Sequence, residues 1–174
     1  VDILGGVDYN VPYHMNYDDP TQNLHIHLEP GMQHLDGQAA HDYVRFRHNN
    51  DGTAPGNYAL GDPGRIEAQQ NFLKELLKQK LKPQYLLKAG ELANAVSEYV
   101  TTNFTVADGL KYIGMLRKMD AESFETFVLP GGSKTISGAS YYIYDPEETK
   151  ELVLMEFGYP EEEAKKLQTP IPAK

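Results

Sequence analysis

Between Asp62-Pro63 and Pro83 the chain carries one unbroken helical repeat: Ile66, Gln69, Phe72, Leu73, Leu76, Leu77 and Leu81 recur at three- and four-residue spacing. Aspartate followed by proline opens such a helix and proline closes it, so Asp62 is expected as the cap. A helix with an apolar stripe of this kind has to be covered by other elements. The flanking sequence supplies them. Residues 3–11 read as a strand, as does Leu24 to Leu28, where Leu-His-Ile-His-Leu alternates and places His25 and His27 on one face. Tyr13 to Asn23 reads as a polar loop and Pro30-Gly31 as a turn. Asp36 is placed to cap a helix running through Tyr43 and Val44, and His48 to Gly61 reads as a loop.

Beyond Pro83 the reading continues with a helix over about 84–99 and another from Thr105 to about Met119. Strands are expected at 123–129 and 139–144 around a turn at Pro130-Gly131-Gly132, and a last helix at about 147–157 behind Asp145-Pro146. From Glu161 the chain is acidic, then proline-rich, and is expected to fray. Strands mixed with helices make this an α/β or α+β chain. With 174 residues, no repeat and no visible internal boundary, residues 1–160 are read as one unit and 161–174 as a tail. The absence of cysteine excludes a disulfide scaffold and any thiolate metal or redox centre. No apolar run approaches the roughly 18 residues that span a bilayer. The chain opens on Val1 rather than methionine, so an upstream segment is expected.

Charge narrows the function classes. A net charge of −9 and a pI near 5.1 argue against non-specific nucleic-acid binding. Only four arginines occur, and Arg45, Arg47 and Arg65 fall within 21 residues. Guanidinium forks suit phosphate and carboxylate. Arg45 and Arg47 would diverge in a helix but share a side if the chain becomes extended there, with Phe46 turned into the core. The ordinary reading of such a pair is two solvated surface charges. Arg65 stands in the first turn of its helix, beside the positive end of the dipole, with Gln69 one turn on. That cation needs an anion, which Asp62 or a bound phosphate would supply, and Gly64 would let a ligand approach the backbone. His25 and His27 have a spacing known from metal sites but no evident third ligand, and packing or hydrogen bonding is their ordinary reading. Asp18 and Asp19 could bind a hard cation, although Asp-Asp-Pro is commonly a turn.

Taken in order, Tyr-Asp-Asp-Pro-Thr-Gln-Asn-Leu-His-Ile-His-Leu (17–28), Gly31 with His34-Leu35-Asp36-Gly37, Tyr43-Val44-Arg45-Phe46-Arg47 and Asp62-x-Gly64-Arg65-x-x-x-Gln69-Gln70 resemble the LytR-CpsA-Psr family. Weaker similarity continues to about Tyr159. The resemblance implies an α/β fold with a central β-sheet flanked by helices on both faces, of which this chain would be the C-terminal portion. It implies an enzyme on the extracytoplasmic face of the membrane of Gram-positive bacteria, anchored by a single upstream helix. Such an enzyme would transfer a phosphoglycan, such as wall teichoic acid or capsule, from a polyprenyl pyrophosphate carrier to peptidoglycan, and some members cleave the pyrophosphate. Carried onto matching positions, Arg45, Arg47, Asp62, Arg65 and Gln69 would surround the pyrophosphate. Ile66, Phe72, Leu73, Leu76 and Leu77 would line the lipid pocket. Magnesium would be the cofactor, with its ligands expected upstream of this chain. One departure is Ala68, where the family often has a second arginine. Restoring arginine there is expected to leave turnover unchanged or raise it. The rival readings are a module that binds polyprenyl phosphate or acidic glycan without turnover and, against the charge, a transcriptional regulator.

Overall fold

The protein was analysed as a computed structural model, which describes residues 1–86, 88–99, 101 and 124–158. It is a mixed α/β fold that divides into two compact units, residues 1–126 and 127–174.

The first unit opens with a 3₁₀ turn (Asp2–Leu4) rather than with the expected strand from residue 3. Gly5 and Gly6 follow at φ 74 and 72, a left-handed pair that cannot extend a strand, so β1 covers only Val7–Val11. β2 (Met15–Asp19) lies where a loop was expected. Its polar residues misled because Asn16 and Asp18 occupy its solvent face, while Met15 is fully buried. β3 (Leu24–Leu28) is as expected, with Leu24, Ile26 and Leu28 buried and both histidines exposed. The chain does not merely turn at Gly31; it enters a strand, β4 (Gly31–Leu35). β1 pairs antiparallel with β4, Tyr9 opposite Gln33, and β2 pairs antiparallel with β3, Tyr17 opposite Ile26.

α1 (Gly37–Arg45) starts as the sequence requires: Asp36 Oδ1 accepts from the Ala39 N–H at 2.9 Å. It ends at Phe46, whose φ −58 and ψ 142 turn the chain extended. A 3₁₀ turn (Gly56–Leu60) breaks the expected loop before α2 (Asp62–Lys80). Gly64, Ala68 and Phe72 are the buried stripe of α2, and Leu76 packs against the core at its next turn. Phe72 meets Tyr9 and Tyr43 at ring-centroid distances of 5.3 and 5.7 Å. The two tyrosine hydroxyls satisfy each other at 2.9 Å, and burial pushes both phenols above the usual tyrosine value. Gln79, near the far end of α2, clamps Asp8 of β1, its amide oxygen accepting from the Asp8 N–H and its nitrogen donating to the Asp8 carbonyl. The single helix expected after Pro83 is two, α3 (Pro83–Leu86) and α4 (Ala89–Tyr99). The expected helix over 105–119, and with it Arg117, lies outside the described residues, as does the tail from 159.

In the second unit, residues 127–129, within the expected strand at 123–129, are not in a strand. β5 (Gly131–Ile136) takes that place and pairs antiparallel with β6 (Ala139–Tyr144). The hairpin turns at Ser137-Gly138, both at positive φ (51 and 83), the geometry of a two-residue hairpin whose twist matches the strands. Gly131 and Gly132, read as the turn, sit inside β5 instead. At Gly131 the neighbouring strand passes so close that a Cβ would strike the Ile143 carbonyl. α5 (Pro146–Phe157) is capped by Asp145, which accepts from the Glu147 and Glu148 amides, both at 3.0 Å. Among the described residues no helix is long and apolar enough to cross a membrane.

Candidate active site

The end of α1 and the start of α2 meet at a cavity of about 300 Å³. Phe46 is fully buried against Tyr58, ring centroids 5.0 Å apart, and this anchors the extended turn. Arg45 and Arg47, the residues either side of it, both line the cavity, as the extended reading requires. Arg65 and Gln69 line it from α2. The five residues Arg45, Arg47, Asp62, Arg65 and Gln69 are therefore brought together.

Their contacts differ in kind. Asp62 Oδ1 lies 3.1 Å from Arg65 and 3.4 Å from Arg47, so the two terminal nitrogens can be no farther apart than those distances combined. This corrects the expectation that Asp62 caps α2. Gly61 is the cap residue, at φ 74 and ψ −133, a conformation glycine can adopt, and the helix starts one residue early. The Asp62 carboxylate is then free to hold two guanidiniums whose charges would otherwise repel. The Arg65 Nε is buried and has no hydrogen-bond partner among the described residues. Gln69 donates to the Val44 carbonyl at 2.8 Å, satisfying a backbone group left open by the end of α1 and tying that end to α2. Arg45 donates to Gln22 Oε1 at 2.6 Å, and the Gln22 nitrogen donates to Asp19. Asp19 also accepts from the Thr21 amide and hydroxyl, and these bonds, the hydroxyl's foremost, hold its carboxyl below the usual range. Asp19 is thus a turn residue that orients Gln22, and it faces away from Asp18, so the two share no cation.

Two further expectations change. Gly64 does not open the backbone to a ligand: the Asn57 carbonyl fills the space where its Cβ would be, so the glycine lets the 3₁₀ turn dock on α2. Ala68 is buried in the core rather than on the cavity, so an arginine there would push a charge among apolar side chains instead of adding a contact to the site. Of the residues expected to line a lipid pocket, Phe72 is a core ring and Leu76 packs on the core, Leu73 is exposed, and Ile66 and Leu77 are half-buried; none of the five borders this cavity. Tyr17, Gln22 and His48 do border it without having been singled out. Tyr17 and Gln22 fall in the 17–28 motif, a signal that was present. His48 is edge-on to the Tyr17 ring, centroids 5.1 Å apart, a contact between residues 31 positions apart that no local pattern carries.

The sequence profile of the LytR_cpsA_psr family matches residues 1–155. The chain belongs to the LytR-CpsA-Psr family. It is 24% identical over 147 residues to the Bacillus subtilis polyisoprenyl-teichoic acid–peptidoglycan teichoic acid transferase TagV, covering 84% of this chain and 36% of TagV. It is 33% identical over 147 residues to the probable cell wall biosynthesis protein LcpB of Corynebacterium glutamicum, covering 83% of this chain and 30% of LcpB. The chain thus spans about a third of the length of these curated relatives. The crystal structure of B. subtilis TagV matches with a TM-score of 0.65 at 21% identity, over 92% of this chain and 59% of that one. At that identity the likeness speaks for the LytR-CpsA-Psr fold.

Proposed function

We propose that this LytR-CpsA-Psr chain carries the phosphate-binding part of a cell-envelope glycopolymer transferase, one that moves a phosphoglycan from a polyprenyl pyrophosphate carrier to a peptidoglycan hydroxyl. The observation that carries the reading is the convergence of Arg45, Arg47 and Arg65 on one cavity in a chain of net charge −9. The unpartnered, buried Nε of Arg65 adds a donor that an anionic oxygen would satisfy. The cavity is at the small end of ligand sites, about 300–1,000 Å³. It has room for a diphosphate group, while glycan and lipid would extend beyond it.

In this mechanism the acceptor hydroxyl attacks the phosphorus that bears the glycan, the bond to the bridging oxygen breaks, and the hydroxyl proton passes to the departing phosphate or to solvent. The negative charge gathers on the departing polyprenyl phosphate. The guanidinium forks, already oriented by Asp62 and Gln22, stabilise that charge more than they stabilise the bound substrate. Gln69 acts at one remove, holding the two helix ends at the spacing the arginines need. Among the described residues the cavity lining holds three guanidiniums and no carboxylate, and Asp62, beside it, is occupied by two of those guanidiniums. That donor set suits an anion and does not suit Mg²⁺, which takes carboxylate and phosphate oxygens, so no step is assigned to a metal here. The exposed Leu73 and the half-buried Ile66 and Leu77 share one stripe of α2, about a quarter turn around the helix from Arg65, and would serve as an apolar surface for a lipid chain outside the cavity.

The test is cleavage of a lipid-linked pyrophosphate by the full-length protein carrying Arg45→Ala, Arg47→Ala or Arg65→Ala. Each change should lower kcat by about 10²- to 10³-fold. The triple variant should lose far less than the product of the singles, because groups acting as a unit are not additive. Thermal stability should change little in Arg45→Ala and Arg47→Ala, whose side chains are exposed, since exposed ion pairs contribute only about 0–1 kcal/mol. Full turnover in Arg47→Ala and Arg65→Ala would overturn the catalytic role of the arginine cluster, and no turnover in the unmodified protein would replace the transferase reading with that of a binding module.

A further inference from the structure

The β2–β3 hairpin has two faces. Its inner face carries Met15, Leu24, Ile26 and Leu28 into the core and sets Tyr17 at the cavity. Its outer face gathers Asp18, His25 and His27, whose ligand-capable atoms all lie within 4.8 Å of one another. Asp18 Oδ1 is the focus, 2.6 Å from His25 Nδ1 and 3.2 Å from His27 Nε2.

The backbone explains why these side chains meet. The Asn16 and Asp18 amides donate to the Asn49 and Asn50 side-chain oxygens, at 2.8 and 3.0 Å, and so point away from β3. Asn16 opposite His27 and Asp18 opposite His25 are therefore the non-hydrogen-bonded pairs of the ladder, the closer of the two pair types, with Cα atoms about 4.5 Å apart. Neighbours orient the ligand atoms in turn. His27 Nδ1 lies 2.9 Å from Asn16 Oδ1, and a ring proton on Nδ1 satisfies that acceptor while Nε2 faces Asp18. Asn50 donates to the second Asp18 oxygen at 3.4 Å. His27 Nε2 and the Asp18 carboxylate oxygen face each other at 3.2 Å, a spacing bridged by a shared proton or by a metal ion.

We infer that Asp18, His25 and His27 form a binding site for a divalent ion of the zinc class on the outer face of this hairpin. Two imidazoles and one carboxylate suit Zn²⁺, Co²⁺ or Ni²⁺ and not the hard, all-oxygen preference of Mg²⁺ or Ca²⁺. The oxygen of Asn16 on His27 and the amide of Asn50 on Asp18 are the outer contacts that orient metal ligands. The exposed face leaves the remaining coordination positions to water. An ion here cross-links β2 to β3 directly behind Tyr17, and so stiffens the cavity wall that also presents Gln22 to Arg45. This site is independent of the reaction proposed above.

The test is titration of the chelator-treated chain with Co²⁺, followed by visible absorption, and with Zn²⁺, followed by calorimetry and thermal melting. One ion per chain should bind, the melting temperature should rise, and millimolar Mg²⁺ should not compete. His25→Ala, His27→Ala and Asp18→Asn should each weaken binding by more than 10-fold, and Asn16→Ala by about 10- to 100-fold. His34→Ala, which removes a histidine paired with Asp8 on another strand, should leave binding unchanged. Circular dichroism identifies any variant that fails to fold; Asp18→Asn, equal in size, then decides. Absence of a Co²⁺ spectrum, or binding that survives Asp18→Asn and the folded histidine variants, overturns the site.

Discussion

The two hairpins β2–β3 and β5–β6 are alike in topology and opposite in what holds them. Both are antiparallel, with strands of five and six residues respectively. β2–β3 buries Met15, Leu24, Ile26 and Leu28, and its outer edge is covered by Asn49 and Asn50. In β5–β6 every residue of both strands is exposed, including Tyr141 to Tyr144 and Ile143 at 44%. One hairpin is specified by a buried face, where a one-residue slip would turn the apolar set to solvent. The other rests on its ladder, on the Ser137-Gly138 turn and on the Tyr142 hydroxyl, which donates to the Leu129 carbonyl at 2.9 Å. A site that must hold three guanidiniums in place is built against the first kind of hairpin, because only packing sets side chains that closely.

The largest stability effect should come from the core behind the first hairpin. Phe72→Ala removes the ring packed on Tyr9 and Tyr43 and should cost about 3–5 kcal/mol in urea unfolding. The sharpest contrast is a matched pair. Ile26→Ala, in a fully buried position, should cost about 2–5 kcal/mol, and Ile143→Ala within about 0.5 kcal/mol. Equal losses would break the comparison, since they would mean that Ile143 is covered as fully as Ile26. The turn falls between the two members of that pair. Gly138→Ala, at φ 83, should cost about 1–2 kcal/mol, and hydrogen exchange should show the loss in β5–β6 and not in β2–β3.

Elements governed by neighbours within a few residues were legible. The Asp36 and Asp145 caps, the long helix ending before Pro83 and the alternation of β3 follow from patterns inside one segment. So does the projection of Arg45 and Arg47 to one side with Phe46 between them, because a side-chain period of two needs only an extended backbone. β2 was hidden because half of its residues face water and its strand character depends on a partner. The β5–β6 register was misplaced because two glycines after a proline mimic a turn, whereas the actual turn is the less conspicuous Ser137-Gly138.

From its residues alone the chain determined its α/β class, its family resemblance and which side chains could serve an anion, since these depend on composition, order and local period. Only the tertiary structure decided what each does. It made Asp62 a bridge between Arg47 and Arg65 instead of a cap, Gly64 a seat for the Asn57 carbonyl, Ala68 a core residue and Gln69 a tie to Val44. It also brought Asp18 to His25 and His27 across the ladder. Each of these roles joins groups on different segments, and a linear period reports the face a side chain takes but not what the fold sets opposite that face.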